Sequence, residues 1–339
     1  MRIITALASG VCFALAAVPS VAKDASFKDQ KISILIGYGV GGGYDVYGRL
    51  VARFLPKYLE GAPVVIPQNM TGAGSLRAAD FIYNVAPKDG TTLGVIGQTI
   101  PIDQLMEEGK KTFDSAKFTW IGRMASGVET ITTWHTSPVR TMDQARTTVA
   151  AIAATGPSSG SAIYPIVLNS LIGTKFKVVS GYAGTKEMLL AMERSETDGC
   201  GAINVSTLTS EFPQWLTEKK VSVLTQISIE RHPAFPDVPT FVELGKTDRQ
   251  KQILKLFAAS GDIGRALMGP PDMPRDRTDA LRKAFMKVMA DKDLLDIANK
   301  QNIDVSPMEG SVLQKLVVEI GSTPESIINE AKIAKTAAN

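Results

Sequence analysis

One pattern constrains this chain more than any other: a strand, a loop of glycine and small polar residues, then a helix, written four times. The first copy is "KISILIGYGVGGGYD" at 31–45. Ile32, Ile34, Leu35 and Ile36 form an apolar run of the kind buried on both faces of a parallel sheet. Gly37, Gly39, Gly41, Gly42 and Gly43 follow at once. The spacing then predicts a helix over 44–59, with Val46, Leu50, Phe54 and Tyr58 on one stripe and Asp45 and Arg49 placed for an i,i+4 ion pair. Pro56 should bend or shorten its end. A second strand at 64–66, the loop "NMTGAGS" at 69–75, a helix at 75–84 and a strand at 92–96 complete a βαβαβ unit, which requires helices packed on a sheet.

A similar unit follows the strand expected at 118–124. After the extended run Ile131–Trp134, Thr141 is placed to cap a short helix. The strand Val149–Ala154 leads into "TGPSSGS" at 155–161 and a helix over 162–171. The strand 177–180 leads into "GYAGT" at 181–185 and a helix to about 194. Strands at 197–204 and 221–227 close the unit. Beyond Ile227 the text becomes proline-punctuated, Thr240 and Glu243 spell a capping box, and residues 277–290 read as a helix. The domains expected from this are 23–123 with 228–339, and 124–227, with the strands near 118–124 and 221–227 as crossovers.

Met1 to Ala22 has the form of a cleaved secretory signal: an early arginine, an apolar stretch, and Ser20-Val21-Ala22 before the cut. An exported, periplasmic protein is expected. Removing the signal also removes Cys12, which leaves Cys200 alone and no internal disulfide. Cys200 is expected to be a small buried residue. Only His135 and His232 are present, so a histidine-based triad or zinc site is poorly provisioned. The net charge of +3 is too small to suggest nucleic acid.

Gly37, Gly39 and Gly42 also satisfy G-x-G-x-x-G, the dinucleotide fingerprint. That reading requires an acidic residue at the end of the second strand for the ribose hydroxyls, and "VVIPQN" offers Gln68. The physics shared by all four loops is simpler. Backbone N–H groups at a helix N-terminus, with about half a positive charge from the helix dipole, make a seat for an anion. In open α/β sheets such ligands bind beyond the carboxyl ends of the strands.

These residues resemble the periplasmic substrate-binding proteins of tripartite tricarboxylate transporters, the Bug family. Gly42-Gly43-Tyr44-Asp45 with Arg49 is similar to the family's first loop, and Asn69 to Ser75 to its second. Lys88 to Leu93 and Gly181 to Gly184 match two further motifs, and Phe235 to Gly245 matches a proline-rich motif almost letter for letter. The resemblance implies an α/β, two-lobed periplasmic binding protein (flytrap) fold, each lobe a mainly parallel sheet flanked by helices. It implies a small organic carboxylate in the cleft, handed to an integral-membrane permease by a monomeric protein that is not an enzyme and carries no cofactor and no metal. The ligand-binding set it implies is Tyr38, Gly39, Gly41, Gly42, Gly43, Tyr44 and Asp45 on the first loop, Thr71, Gly72, Ala73, Gly74 and Ser75 on the second, and Gln98. Ser158, Ser159, Ser161, Tyr182, Ala183, Gly184 and Asp198 would face them from the second domain. Tyr44 stands where the family has Ser or Thr; it could narrow the pocket, stack on an aromatic ligand, or pack against the sheet. The rival readings are a secreted α/β hydrolase, which lacks G-x-S-x-G here, and a ligand sensor acting on a signalling partner.

Overall fold

The computed structural model describes residues 25–107 and 112–336, so the expected signal peptide at 1–22 lies outside the described residues. The chain builds two sheets. The first runs β11-β4-β10-β3-β1-β2, from β1 (Lys31–Ile36), β2 (Val64–Asn69), β3 (Thr92–Val95), β4 (Thr119–Ala125), β10 (Arg265–Gly269) and β11 (Met308–Glu309). The second runs β7-β6-β8-β5-β9, from β5 (Glu129–Trp134), β6 (Ala150–Ala154), β7 (Phe176–Ser180), β8 (Gly199–Asn204) and β9 (Val221–Ile227). Both are mixed. The βαβ units make the parallel half of each sheet, β2-β1-β3 and β7-β6-β8. Antiparallel pairing enters where the chain changes sheet, at β10 beside β3 and β4 and at β5 beside β8 and β9.

Alternation along β1 explains why both of its faces are apolar. Ile32, Ile34 and Ile36 pack with the helices Gly43–Phe54 and Arg275–Met289, while Leu35 faces the core shared with the helix Leu76–Asn84. The helix Gly43–Phe54 stops short of Pro56, which sits in a tighter 3₁₀ turn at Leu55–Tyr58, as a ring that cannot donate an N–H demands. In the second lobe the helix Gly160–Ile172 covers one face, and Met188, Leu189 and Met192 of the helix Thr185–Glu193 cover the other around buried Cys200. Burial pushes the Cys200 thiol well up, which makes it inert.

Two features differ from the sequence expectation. Thr240 and Glu243 do exchange capping hydrogen bonds, but they close only the 3₁₀ turn Val242–Leu244. The helix begins later, at Asp248, under a second box formed by Thr247 and Gln250. The chain after Ile227 also serves both lobes. The terminal helix Glu325–Thr336 packs on the helix Gly160–Ile172 of the second lobe, while Lys335 pairs with buried Asp103 of the first. One apolar core runs from Leu35 and Trp120 of the first lobe, through Phe241 and Phe257, to Ile131 and Ile152 of the second.

Candidate functional site

Each glycine loop leaves the carboxyl end of a parallel strand, so the strand order brings the loops of both lobes to one cleft. The first loop is shaped by Asp45. Its carboxylate accepts the Gly41 N–H at 2.8 Å, Arg49 Nε at 2.9 Å and Asn69 Nδ2 at 2.8 Å, and Asn69 Nδ2 also reaches the Tyr38 carbonyl at 2.8 Å. Burial works against this charge, but the bonds from Arg49, Gly41 and Asn69 outweigh it and hold the carboxyl below its usual value. Asp45 is thus spent on holding the loop, with Gly41 at φ +80 making the turn. Gly42, at φ −83, is extended and needs no glycine for its backbone conformation.

The second loop is bent further. Gly72 has φ +139, and Ala73, Gly74 and Ser75 are three successive residues with positive φ, two of them carrying a β-carbon. Strain of this kind persists only where the surroundings hold it. Here buried Ser75 Oγ accepts the Gly97 N–H at 3.1 Å, and the Gly74 carbonyl accepts Tyr38 Oη at 3.2 Å. A β-carbon on Gly74 would lie 2.6 Å from the Ser159 nitrogen of the opposite lobe, so only glycine permits this approach.

The lobes meet loop to loop. Gly39 N–H donates to the Ala183 carbonyl at 3.0 Å, and Thr99 Oγ1 donates to the Ser158 carbonyl at 2.9 Å. Ser159 Oγ and Ser161 Oγ lie 2.7 Å apart behind this contact, and Ser161 Oγ accepts the Thr155 N–H at 3.0 Å. Inside remains a narrow chamber of about 20 Å³ bordered by Tyr38, Tyr44, Gln98, Glu129, Ser159 and Ser161. A second space of about 30 Å³ continues from Glu129 past Arg265, Tyr47 and Thr185 toward Asn204. Together they describe a closed cleft.

Of the three roles, Tyr44 takes two: it narrows the pocket and it packs in the core against the first sheet. Its ring stacks on Tyr38 at 4.4 Å between centroids, and the Arg265 guanidinium lies 4.0 Å over it. Its hydroxyl oxygen accepts the Gln98 N–H at 3.1 Å. Burial pushes this hydroxyl up to about 12, against the opposing pull of Arg265, so it stays neutral. Tyr44 is a wall of the chamber and a ring on which a cation rests.

The cleft loops hold Tyr38 to Tyr44, Ala73 to Ser75, Gln98, Ser158, Ser159, Ser161, Ala183 and Gly184 close to the interlobe contact. Gly72 turns toward Arg77 instead. Thr71 and Tyr182 border neither chamber; Tyr182 packs on the apolar cluster under the helix Thr185–Glu193. Asp198 is elsewhere. It pairs with the Ala151 N–H at the start of β6, the end of that strand opposite the 155–161 loop. The residues that sequence reasoning missed are Glu129, Arg265, Tyr164 and Thr99. Arg265 and Glu129 begin β10 and β5, one in each lobe, and no local pattern signals that they meet. Among the described residues no group of His, Cys, Asp and Glu is arranged to hold a metal, and no helix is long and apolar enough to cross a membrane.

Residues 48–333 match the family described as "Tripartite tricarboxylate transporter family receptor" (TctC). The chain is 25% identical over 336 residues to the "UPF0065 protein in gbd 5'region" of Cupriavidus necator, covering 97% of this chain and 95% of that one. The fold superimposes on the periplasmic binding protein BugD with a TM-score of 0.70 at 18% identity, covering 91% of this chain and 98% of BugD. It superimposes on MatC of Rhodopseudomonas palustris, solved with bound malate, with a TM-score of 0.69 at 20% identity, covering 89% of this chain and all of MatC. The two mixed sheets and closed cleft are therefore the two-lobed fold of periplasmic binding proteins, and the chain belongs to the TctC family of solute-binding receptors of tripartite tricarboxylate transporters.

Proposed function

We propose that this protein is an exported, monomeric receptor that encloses a small organic carboxylate between its lobes and presents it to the membrane subunits of a tripartite permease. The observation that carries the reading is the meeting of four glycine- and serine-rich loops across one cleft, at Gly39 with Ala183, Thr99 with Ser158 and Gly74 with Ser159. Contacts made only when the lobes close are what allow a ligand to shift an open–closed equilibrium. The malate held by MatC, a protein of similar fold, suits the same chemistry. The loop residues from Tyr38 to Tyr44, Ala73 to Ser75, and Ser158 to Ser161 form the seat. The lobes divide at the crossovers after Ala125 and Ile227, and the terminal helix Glu325–Thr336 bridges them, packed on the second lobe and paired through Lys335 to Asp103 of the first.

The test is thermal melting of the mature protein against a panel of mono-, di- and tricarboxylates, with NAD as the control. At about 100 times its Kd, a ligand should add about 2.7 kcal/mol to the stability of the folded state. A rise in melting temperature with at least one carboxylate and none with NAD is expected. A panel in which only the nucleotide raises it would overturn the proposal.

A further inference from the structure

Beneath the glycine loops lies a buried guanidinium that the protein does not saturate. Arg265 is 4% exposed, and a guanidinium has five N–H groups to place. Nη1 donates to Gln98 Oε1 at 2.9 Å. Nη2 comes only within 3.7 Å of Glu129 Oε1, too far for a hydrogen bond. The Nε and Nη2 edge faces Gly43, whose missing β-carbon would stand 3.8 and 3.9 Å from these atoms, and both residues border the chamber that runs toward Asn204. A buried cation with uncommitted donors is costly unless something completes it, and a carboxylate fits that edge with two parallel bonds.

Glu129 is the only anion already there within ion-pair distance among the described residues. It comes from the opposite lobe, is itself buried, and accepts Tyr164 Oη at 3.2 Å through its other oxygen. The pair therefore spans the floor of the cleft. Glu211 borders the same chamber on the Thr207 side.

We propose that Arg265 is the specificity-determining residue that reads the ligand's carboxylate, and that Glu129 is its resident counter-anion when no ligand is bound. The inference rests on the carboxylate reading given above and deepens it. It also narrows the ligand. With Glu129 and Glu211 both on its walls, the chamber takes one carboxylate head, and any second negative charge must lie away from them.

The experiment is titration calorimetry at neutral pH with acetate, benzoate, succinate, malate and adipate, the tightest of which is carried to the variants. R265Q should weaken that probe about 100-fold, and R265K, which keeps the charge and loses the paired donors, about tenfold or more. E129Q should tighten it about tenfold, because the competing anion is gone. A purely structural role for the pair would weaken binding in all three, so the opposite sign of E129Q is the deciding readout. Circular dichroism of the ligand-free variants reports folding, and should R265Q fail to fold, R265K and E129Q carry the test. Binding within threefold of the unsubstituted protein in R265K, or weakened binding in E129Q, overturns the inference and leaves the carboxylate reading standing. No binding of any probe to the unsubstituted protein overturns both.

Discussion

The two rims of the cleft do the same job with different materials. On the first lobe the loop is fastened by charge: Asp45, Arg49 and Asn69 tie Gly41 and Tyr38 together, and the next loop runs through four successive residues with positive φ, Gly72 to Ser75. On the second lobe the loop is fastened by hydroxyls, through Ser159, Ser161 and Thr155. Charged and strained contacts fix one geometry, whereas a serine hydroxyl rotates to suit its partner. The first rim is held in one conformation by its own charges and turns, and the second is held by hydroxyls that can turn to another partner.

That contrast can be broken in four places. The largest effect is expected from Gly74→Val. Its side chain would enter the Ser159 backbone of the opposite rim, so closure should fail and affinity for the best carboxylate should fall at least about 100-fold. Small-angle scattering would then show the same radius with and without ligand. Normal affinity in this variant would mean that the rims do not meet as described.

Next comes Asp45→Asn. It removes a buried acceptor of charged and neutral donors and should cost about 2 kcal/mol in urea unfolding, less than a fully enclosed ion pair because Arg49 is partly exposed. The pH dependence has a definite sign. A carboxyl held low in the folded state adds stability above its unfolded value near 3.9, and that stability drains away as pH falls through the lower folded value. The variant should therefore lose less stability than the unsubstituted protein on going from pH 5 to pH 3. An equally steep decline would place the acid-sensitive groups elsewhere.

Ser161→Ala acts on the other rim. It strips the partner from the Thr155 N–H and should cost about 1 kcal/mol, with no change in the acid limb. A pH-dependent loss here would erase the distinction between the two rims. The smallest effect on binding is expected from Asp198→Ala. It sacrifices a bond to the Ala151 N–H, again about 1 kcal/mol of stability, and should leave carboxylate affinity within twofold. A larger drop in affinity would bring Asp198 back to the cleft.

How much of this was legible from residues alone depends on the range of the interaction. The strands up to Ile227, the helix ended by Pro56, the Asp45–Arg49 pair and the buried Cys200 follow from neighbours within a turn or two and stand where local pattern puts them, whereas β10 and β11 form where no strand is expected. Tyr44 could be singled out but not interpreted, because its partners Gln98 and Arg265 are 54 and more than 200 residues further along the chain. Arg265 opens the apolar strand "RALMG", and Glu129 opens "ETITTW"; each looks like a strand end facing water until the crossovers bring the two together. Asp198 shows the converse. It sits in a glycine-rich segment like those of the cleft, yet it precedes β8, and β8 runs parallel to β6, so it emerges at the far edge of the sheet.

The route of the last helix has a mechanical consequence. The chain passes between the lobes after β4, again between β9 and β10, and a third time where the helix Gly310–Gly321 gives way to Glu325–Thr336. Two bodies joined at three separated points have fewer ways to move against each other than two joined by a single connector. Lys335, pairing with Asp103 just beyond Gln98 and Thr99, ties the tail of the chain to the side of the seat.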